Sequence, residues 1–307
     1  MERSPLVIAV YATLALTLGG QWIAAKLGVT AVPALELSTM RYAIASVVLL
    51  AACAVTRTPL PIRRWPIVAL GAACGVLGFN TLAFLGLTMT PASDVALIIP
   101  TTIPAAAALF ASAIGDKLTS RRLVGLGVAT LGTVVVIAGG QQSDVGPSGS
   151  RIVGDVLELL AAAAWAAGLT VGAVAFRRGA GVFGYVTLMV TIGAVLIAPL
   201  GFLQEGYRDL PRWNAQTWLA AAFLGVISTA LAFVLFFWAV RRFGASLAAM
   251  VSYLTPVTTL GLAFAILNER PLPLQLAGGA VIVVGVRIAA RRRSAAVAPP
   301  VATTQRT

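Results

Sequence analysis

Histidine is absent from all 307 residues, and cysteine occurs only twice, at Cys53 and Cys74. The first absence removes the commonest zinc ligand and the side chain best suited to titrate near neutral pH. Two cysteines within apolar stretches give neither a disulfide framework nor a metal site, and read as small apolar filler. Charge is scarce as well: 10% of residues are charged, where a soluble protein of this length carries about a quarter. HExxH, a paired-aspartate motif, GxSxG and a phosphate-binding P-loop are all missing. A membrane-embedded enzyme needs clustered acids, histidines or a nucleophile with its base, so that reading is weak, and ATP-driven transport is disfavoured with it. Nothing calls for a cofactor or a metal ion.

Apolar surface is abundant instead. Hydrophobic residues make up 59% of the chain, and the mean hydropathy is +0.94. Crossing the hydrocarbon core takes about 20 apolar residues. Ten segments qualify: 6–25, 35–55, 67–87, 95–114, 123–139, 156–176, 182–203, 217–240, 247–267 and 274–290. Alternating patterns of transmembrane strand length do not occur. The expected fold class is therefore an all-α polytopic membrane protein with ten transmembrane helices. Segment 6–25 follows a single Arg3, exceeds a signal-peptide core in length and lacks a small-residue cleavage site, so it reads as a retained first helix.

The net charge of +12 would suggest nucleic acid in a soluble protein. Here the basic residues sit in short loops and at the C-terminus, without interleaved aromatics. Sixteen of the 22 gather at one set of helix ends, among them Arg57, Arg63, Arg64, Arg121, Arg122, Arg177, Arg178, Arg241 and Arg242. Five lie at the opposite ends: Lys26, Arg151, Arg208, Arg212 and Arg270. The bias places both termini in the cytoplasm.

A shift of 153 residues aligns 92–134 with the second half: Ala92 and Ser93 fall on Ala245 and Ser246, and Asp116–Lys117 on Glu269–Arg270. A shift of 149 lays "NTLAF" (Asn80–Phe84) on "TALAF" (Thr229–Phe233). Each half thus holds five helices. Since five is odd, the second half enters from the opposite face, which makes an inverted repeat. That plan recurs in secondary transporters and puts a binding site near the midplane between halves. The divisions read as a first repeat over 1–139, a linker over 140–151, a second repeat over 152–290, and a disordered basic tail over 291–307.

"GVISTALAFVLFFWAVRRFGASLAAMVSYLTPV" (Gly225–Val257), with "NER" (Asn268–Arg270) beyond it, closely resembles the second repeat of the EamA family in the drug/metabolite transporter superfamily. The first half looks similar at "LGGQWIAAKLG" (Leu18–Gly28), at Arg41–Tyr42 and at "GDKLTSRRLVG" (Gly115–Gly125), and the sixth segment fits at "GDVLELLAAAAWA" (Gly154–Ala166). The resemblance covers about residues 6–290. It implies a bacterial inner-membrane carrier that exports amino acids or other small metabolites; one branch, the YddG-like exporters, carries amino acids. Two departures fall near the implied cavity. Leu18 stands where the first repeat has a tryptophan, with Trp22 nearby, and Ile103 stands where the fourth helix has a proline, between Pro100 and Pro104.

Several residues are candidates for a site. Pro100, Pro104 and Pro256 neighbour Thr101, Thr102 and Thr255. They read either as bent helices offering carbonyls and hydroxyls to a cavity, or as packing kinks. Trp165 sits at mid-depth and matches a family position, which suits a cavity wall. Trp238, close to Arg241, suits an interfacial belt, and Trp22 and Tyr253 are open between the two. Asn80 and Thr229 are equivalent polar residues that either touch substrate or bond helices together. Arg41 lies about two turns into its helix, where a charge costs several kcal/mol unless paired or snorkelling. It snorkels outward, pairs with Glu158, or binds a substrate carboxylate. Glu158 is the candidate proton carrier if export is proton-coupled. Gly71–Gly75 and Gly168–Gly172 read as helix-packing surfaces. Anionic cargo such as a nucleotide sugar or a phosphorylated metabolite would call for several inward cations, and few are available; a lipid is a further alternative. The partners expected are a small-molecule substrate and the bilayer, with the chain a monomer or a homodimer.

Overall fold

The computed structural model describes residues 5–90, 92–115, 119–140, 148–255, 258–259, 261–262, 265 and 273–290. Every regular element among them is helical. In chain order these are α1 (Pro5–Val29), α2 (Ala34–Thr56), α3 (Ile62–Met89), α4 (Ala92–Ala113), α5 (Ser120–Gly140), α6 (Ser148–Arg177), α7 (Val182–Glu205), α8 (Ala215–Phe243), the short α9 (Ala245–Ala249) and α10 (Pro273–Ala290). Six of them, α1, α2, α3, α6, α7 and α8, are long and apolar enough to cross a membrane. Shorter apolar stretches run through α4 and α10. The chain is thus a multi-pass membrane protein, all-helical among the described residues. In hydrocarbon a helix satisfies its own backbone groups, which is why strands without a closed barrel find no place.

The helix ends obey local chemistry. Asn214 caps α8 by accepting a hydrogen bond from the Thr217 amide at 2.8 Å. Gly244, at φ 85°, ends the same helix in a conformation that side chains rarely adopt. The expected ninth segment departs from a plain helix: α9 passes at once into a 3₁₀ turn, Met250–Leu254. Pro256 and Glu269–Arg270, further along that segment, lie outside the described residues, as do Asp116–Lys117, most of the expected linker and the whole tail.

Both α3 and α8 contain a π-helical segment, at Ala73–Gly78 and Phe223–Leu231. Such segments are rare and cluster at functional sites. Asn80 comes just after the first and Thr229 lies within the second.

Helix ends gather on two faces. Arg64 reaches Gly179, Arg177 donates to the Ile114 carbonyl at 3.4 Å, and Tyr11 stacks with Phe243 at 6.2 Å. The N-terminal end of α1 therefore shares a face with the arginine-bearing ends. At the other face, the Leu35 amide donates to Gln204 at 3.0 Å and Thr90 to Asp155 at 2.9 Å. Around the outside, large apolar side chains such as Val47, Leu131, Val195 and Leu219 stay exposed. In water that would be a large hydrophobic patch; against lipid it costs nothing.

Small residues set the helix crossings. The expected glycine surface is present where α3 meets α6, with a β-carbon at Gly168 falling 2.8 Å from the Gly75 Cα. The most extensive pairing joins α5 to α10. There a β-carbon at Gly132 would fall 2.7 Å from the Ile282 amide nitrogen, whereas one at Gly127 meets nothing within 4 Å. We expect Gly132→Ala to cost about 1–3 kcal/mol by overpacking against backbone. Gly127→Ala should leave stability unchanged or raise it by up to about 1 kcal/mol through helix propensity. Thermal unfolding in detergent micelles distinguishes the two.

Candidate functional site

A small cavity lies about halfway along α6. Three residues of α1 line it (Leu18, Gln21, Trp22), with Phe79 of α3 and Ile99, Pro100 and Ile103 of α4. From the second half come Trp165 of α6, Phe233 and Phe236 of α8, and Ser252 and Thr255 after α9. Its volume is about 30 Å³, room for a few waters at most.

Trp165 is the centre of the apolar wall. Phe233, Phe79, Phe236 and Phe237 surround it at ring-centroid distances of 4.8, 5.2, 5.8 and 6.2 Å, tilted or edge-on. These geometries suit aromatic quadrupoles and fix the indole in one orientation. Polar groups at the wall are few: the Gln21 amide and the hydroxyls of Ser252 and Thr255. The backbone supplies one more. Pro104 has no N–H to offer the Pro100 carbonyl, and α4 runs through both prolines, so the cavity-lining Pro100 keeps a carbonyl without its helical donor.

A polar layer backs the cavity. Arg41 is 2% exposed, so it does not snorkel. Its Nε donates to Thr229 Oγ1 at 2.6 Å and its Nη2 to Gln21 Oε1 at 3.2 Å. The guanidinium also lies 5.4 Å from the Tyr42 ring centroid and 6.0 Å from that of Phe84, a placement that favours a cation. Thr229 donates its own proton to the Leu224 carbonyl at 2.8 Å. On the same helix face, Ser38 donates to Asn80 at 3.3 Å, and Asn80 donates to the Tyr42 hydroxyl. Asn80 and Thr229 thus grip neighbouring residues of α2 from opposite helices.

The candidate residues of the sequence fall at different places around this cavity. Trp22, Trp165 and Thr255 line the cavity, and Trp22 is buried rather than interfacial. Asn80 and Thr229 stand behind the wall as interhelical bonds. Tyr253 is fully buried beside Ser252 without lining the cavity. Pro100 lines it and the buried Pro104 does not; the Thr101 side chain and Pro256 lie outside the described residues. Arg41 and Glu158 do not pair: Arg41 spends its bonds on Thr229 and Gln21, while Glu158 lies against Gly86 of α3, where a β-carbon would come 2.9 Å from its carboxyl carbon. Leu18 and Ile103, noted only as departures from a pattern, are wall residues. Gln21 escaped notice because one glutamine in an apolar helix carries no spacing signal.

Comparison with known proteins now places the chain. The model of the EamA-like transporter family matches residues 6–138 and 152–291, so the chain belongs to that family. A probable terminal-alkyne amino-acid exporter of Streptantibioticus cattleyicolor is 28% identical over 304 residues, covering 95% of each chain. An uncharacterised transporter of Archaeoglobus fulgidus is 25% identical over 284 residues, covering 89% of this chain and 94% of that one. A solved crystal structure superposes with a TM-score of 0.74 at 22% identity, over 92% of this chain and 95% of its own, which establishes the fold.

The Arg41 contacts make a stability prediction. Thr229→Val removes the acceptor for a buried charged donor and should cost about 1.5–3 kcal/mol, read as lowered thermal stability in detergent. Thr229→Ser keeps the hydroxyl and should lose much less. Equal losses would mean that the hydrogen bond contributes little.

Proposed function

We propose that the protein is a secondary exporter of amino acids with apolar or aromatic side chains. It works by alternating access in the bacterial inner membrane, with both termini in the cytoplasm. The observation that carries this reading is the cavity itself: aromatic rings on most sides, a few neutral polar groups, and walls drawn from α1, α3 and α4 on one side and α6, α8 and the α9 region on the other. The 149-residue shift lays α3 on α8 and the 153-residue shift lays α4 on the α9 region, which supports an inverted-repeat plan. The twin π-helical segments and the pairing of α2 with α7 and of α5 with α10 fit the same inverted-repeat plan. The family model matches two stretches that stop and restart around the expected linker.

Neutral walls favour a zwitterion over a dianion. A phosphorylated cargo would need cations at the wall, and Arg41 stands one residue back, behind Gln21. A zwitterion needs only a few hydrogen bonds for its two ends, which Gln21, Ser252, Thr255 and the Pro100 carbonyl can supply. Its side chain then stacks on Trp165 and the phenylalanines. The name of the Streptantibioticus relative supports amino-acid cargo. The arginine-rich ends support the cytoplasmic placement.

The test is counterflow in proteoliposomes. Vesicles preloaded with leucine or phenylalanine should take up the labelled form, and glutamate or a sugar phosphate should compete poorly. Trp165→Ala should raise KM for phenylalanine about tenfold, the equivalent of about 1.4 kcal/mol of lost contact. Competition by phosphorylated compounds alone would overturn the amino-acid reading.

A further inference from the structure

A buried carboxyl group that the cargo cavity does not use sits in the seam between α3 and α6. Glu158 is 0% exposed, and neither of its carboxyl oxygens has a hydrogen-bond partner among the described residues. Its place is made by absence: Gly86 faces it, and any β-carbon there would collide with Oε1. One turn nearer the helix end, a β-carbon at Gly154 would meet Met89 and Thr90 at 3.1 Å. Two turns further in, Trp165 lines the cavity, close to the Gly75–Gly168 crossing. One tight, small-residue seam therefore joins the carboxyl to the cargo site.

We propose that Glu158 is a proton-binding site whose occupancy controls this seam and couples export to the proton gradient. The proposal rests on the carrier reading. A carboxylate closed into an apolar seam is costly, and no donor among the described residues reaches either of its oxygens. The neutral acid fits the closed seam. On losing its proton the group becomes a carboxylate that must be solvated, which the α3–α6 seam allows only by parting. A proton taken up by the carboxylate at one face and released at the other completes a cycle in which only the proton and the cargo move.

Other charges bear on the site. On α6 itself, Asp155 lies one turn away, half-buried, and accepts the hydrogen bond of Thr90 at 2.9 Å. It stands between Glu158 and the membrane face as an entry point for protons. On α3, Arg63 and Arg64 are at the opposite end, and Cys74 lies beyond the glycine crossing. Arg241 and Arg242 of α8 are also at the far end, since Phe237 already meets Gly172. The α9 helix carries no charge. Asp94, in the first turn of α4, is at the same end as Glu158; its side chain lies outside the described residues.

Two measurements test the proposal. Difference infrared spectra of the protein in lipid nanodiscs, recorded across a pH titration, should contain the carbonyl band of a protonated carboxyl that is absent from E158Q. A band unchanged in E158Q, or lost in D94N instead, would overturn the site. In proteoliposomes, an imposed pH gradient should drive uphill accumulation of phenylalanine by the wild type and not by E158Q, while counterflow at equal pH, which needs no net proton movement, continues in both. A wild type indifferent to the gradient, or an E158Q that still accumulates, would overturn the coupling. Should no amino acid exchange at all, the cargo reading fails, and the infrared result alone decides the proton site.

Discussion

A guanidinium in the apolar interior has to be answered by its neighbours, and much of the first half is arranged around that requirement. Arg41 carries five N–H donors and is almost fully buried. Thr229 from α8 and Gln21 from α1 accept two of its bonds, and Tyr42 and Phe84 present ring faces. These contacts tie α1, α2, α3 and α8 together at one depth. Gln21 is held by the same bond that steadies Arg41, so one edge of the cavity is fixed by a charge that never reaches it. Positive potential at the wall, without a cation in the wall, suits one end of a zwitterion.

The second constraint is the absence of a hydrophobic driving force between helices in lipid. Contact area has to come from close approach, and the glycines provide it. The α5–α10 pair meets backbone to backbone at Gly125, Gly132 and Gly285. The α3–α6 pair does so at Gly75 and Gly168. In the second pair the same closeness serves chemistry, because it brings Trp165 against Phe79 at one depth and seals Glu158 against Gly86 at another. Packing and site are not separable there.

The helical, multi-span character was legible in the sequence because hydropathy reports directly on the bilayer, and six helices among the described residues are long and apolar enough to cross it. Trp165 stood out by its depth and Thr255 by its neighbouring proline, and both line the cavity. Other placements were not legible. Asn80 and Thr229 stood out as equivalent polar residues, but whether such a residue faces a cavity or a neighbouring helix depends on rotation about the helix axis, and the π-helical segments at Ala73–Gly78 and Phe223–Leu231 change that rotation locally. No residue pattern in either stretch announces an extra residue per turn. The pairing of Arg41 with Glu158 failed for a related reason. Depth along a helix says nothing about azimuth, and the two side chains point into different seams.

That separation shapes the energetics. Had Arg41 and Glu158 paired, each would have neutralised the other, and neither could respond to cargo or to a proton. Held apart, Arg41 is satisfied by the neutral acceptors Thr229 and Gln21 and by ring faces. Glu158 has no such neighbours among the described residues. In the proposed cycle, a cation behind the cavity and a proton-binding carboxyl in the seam divide the work between recognising cargo and sensing which face is open.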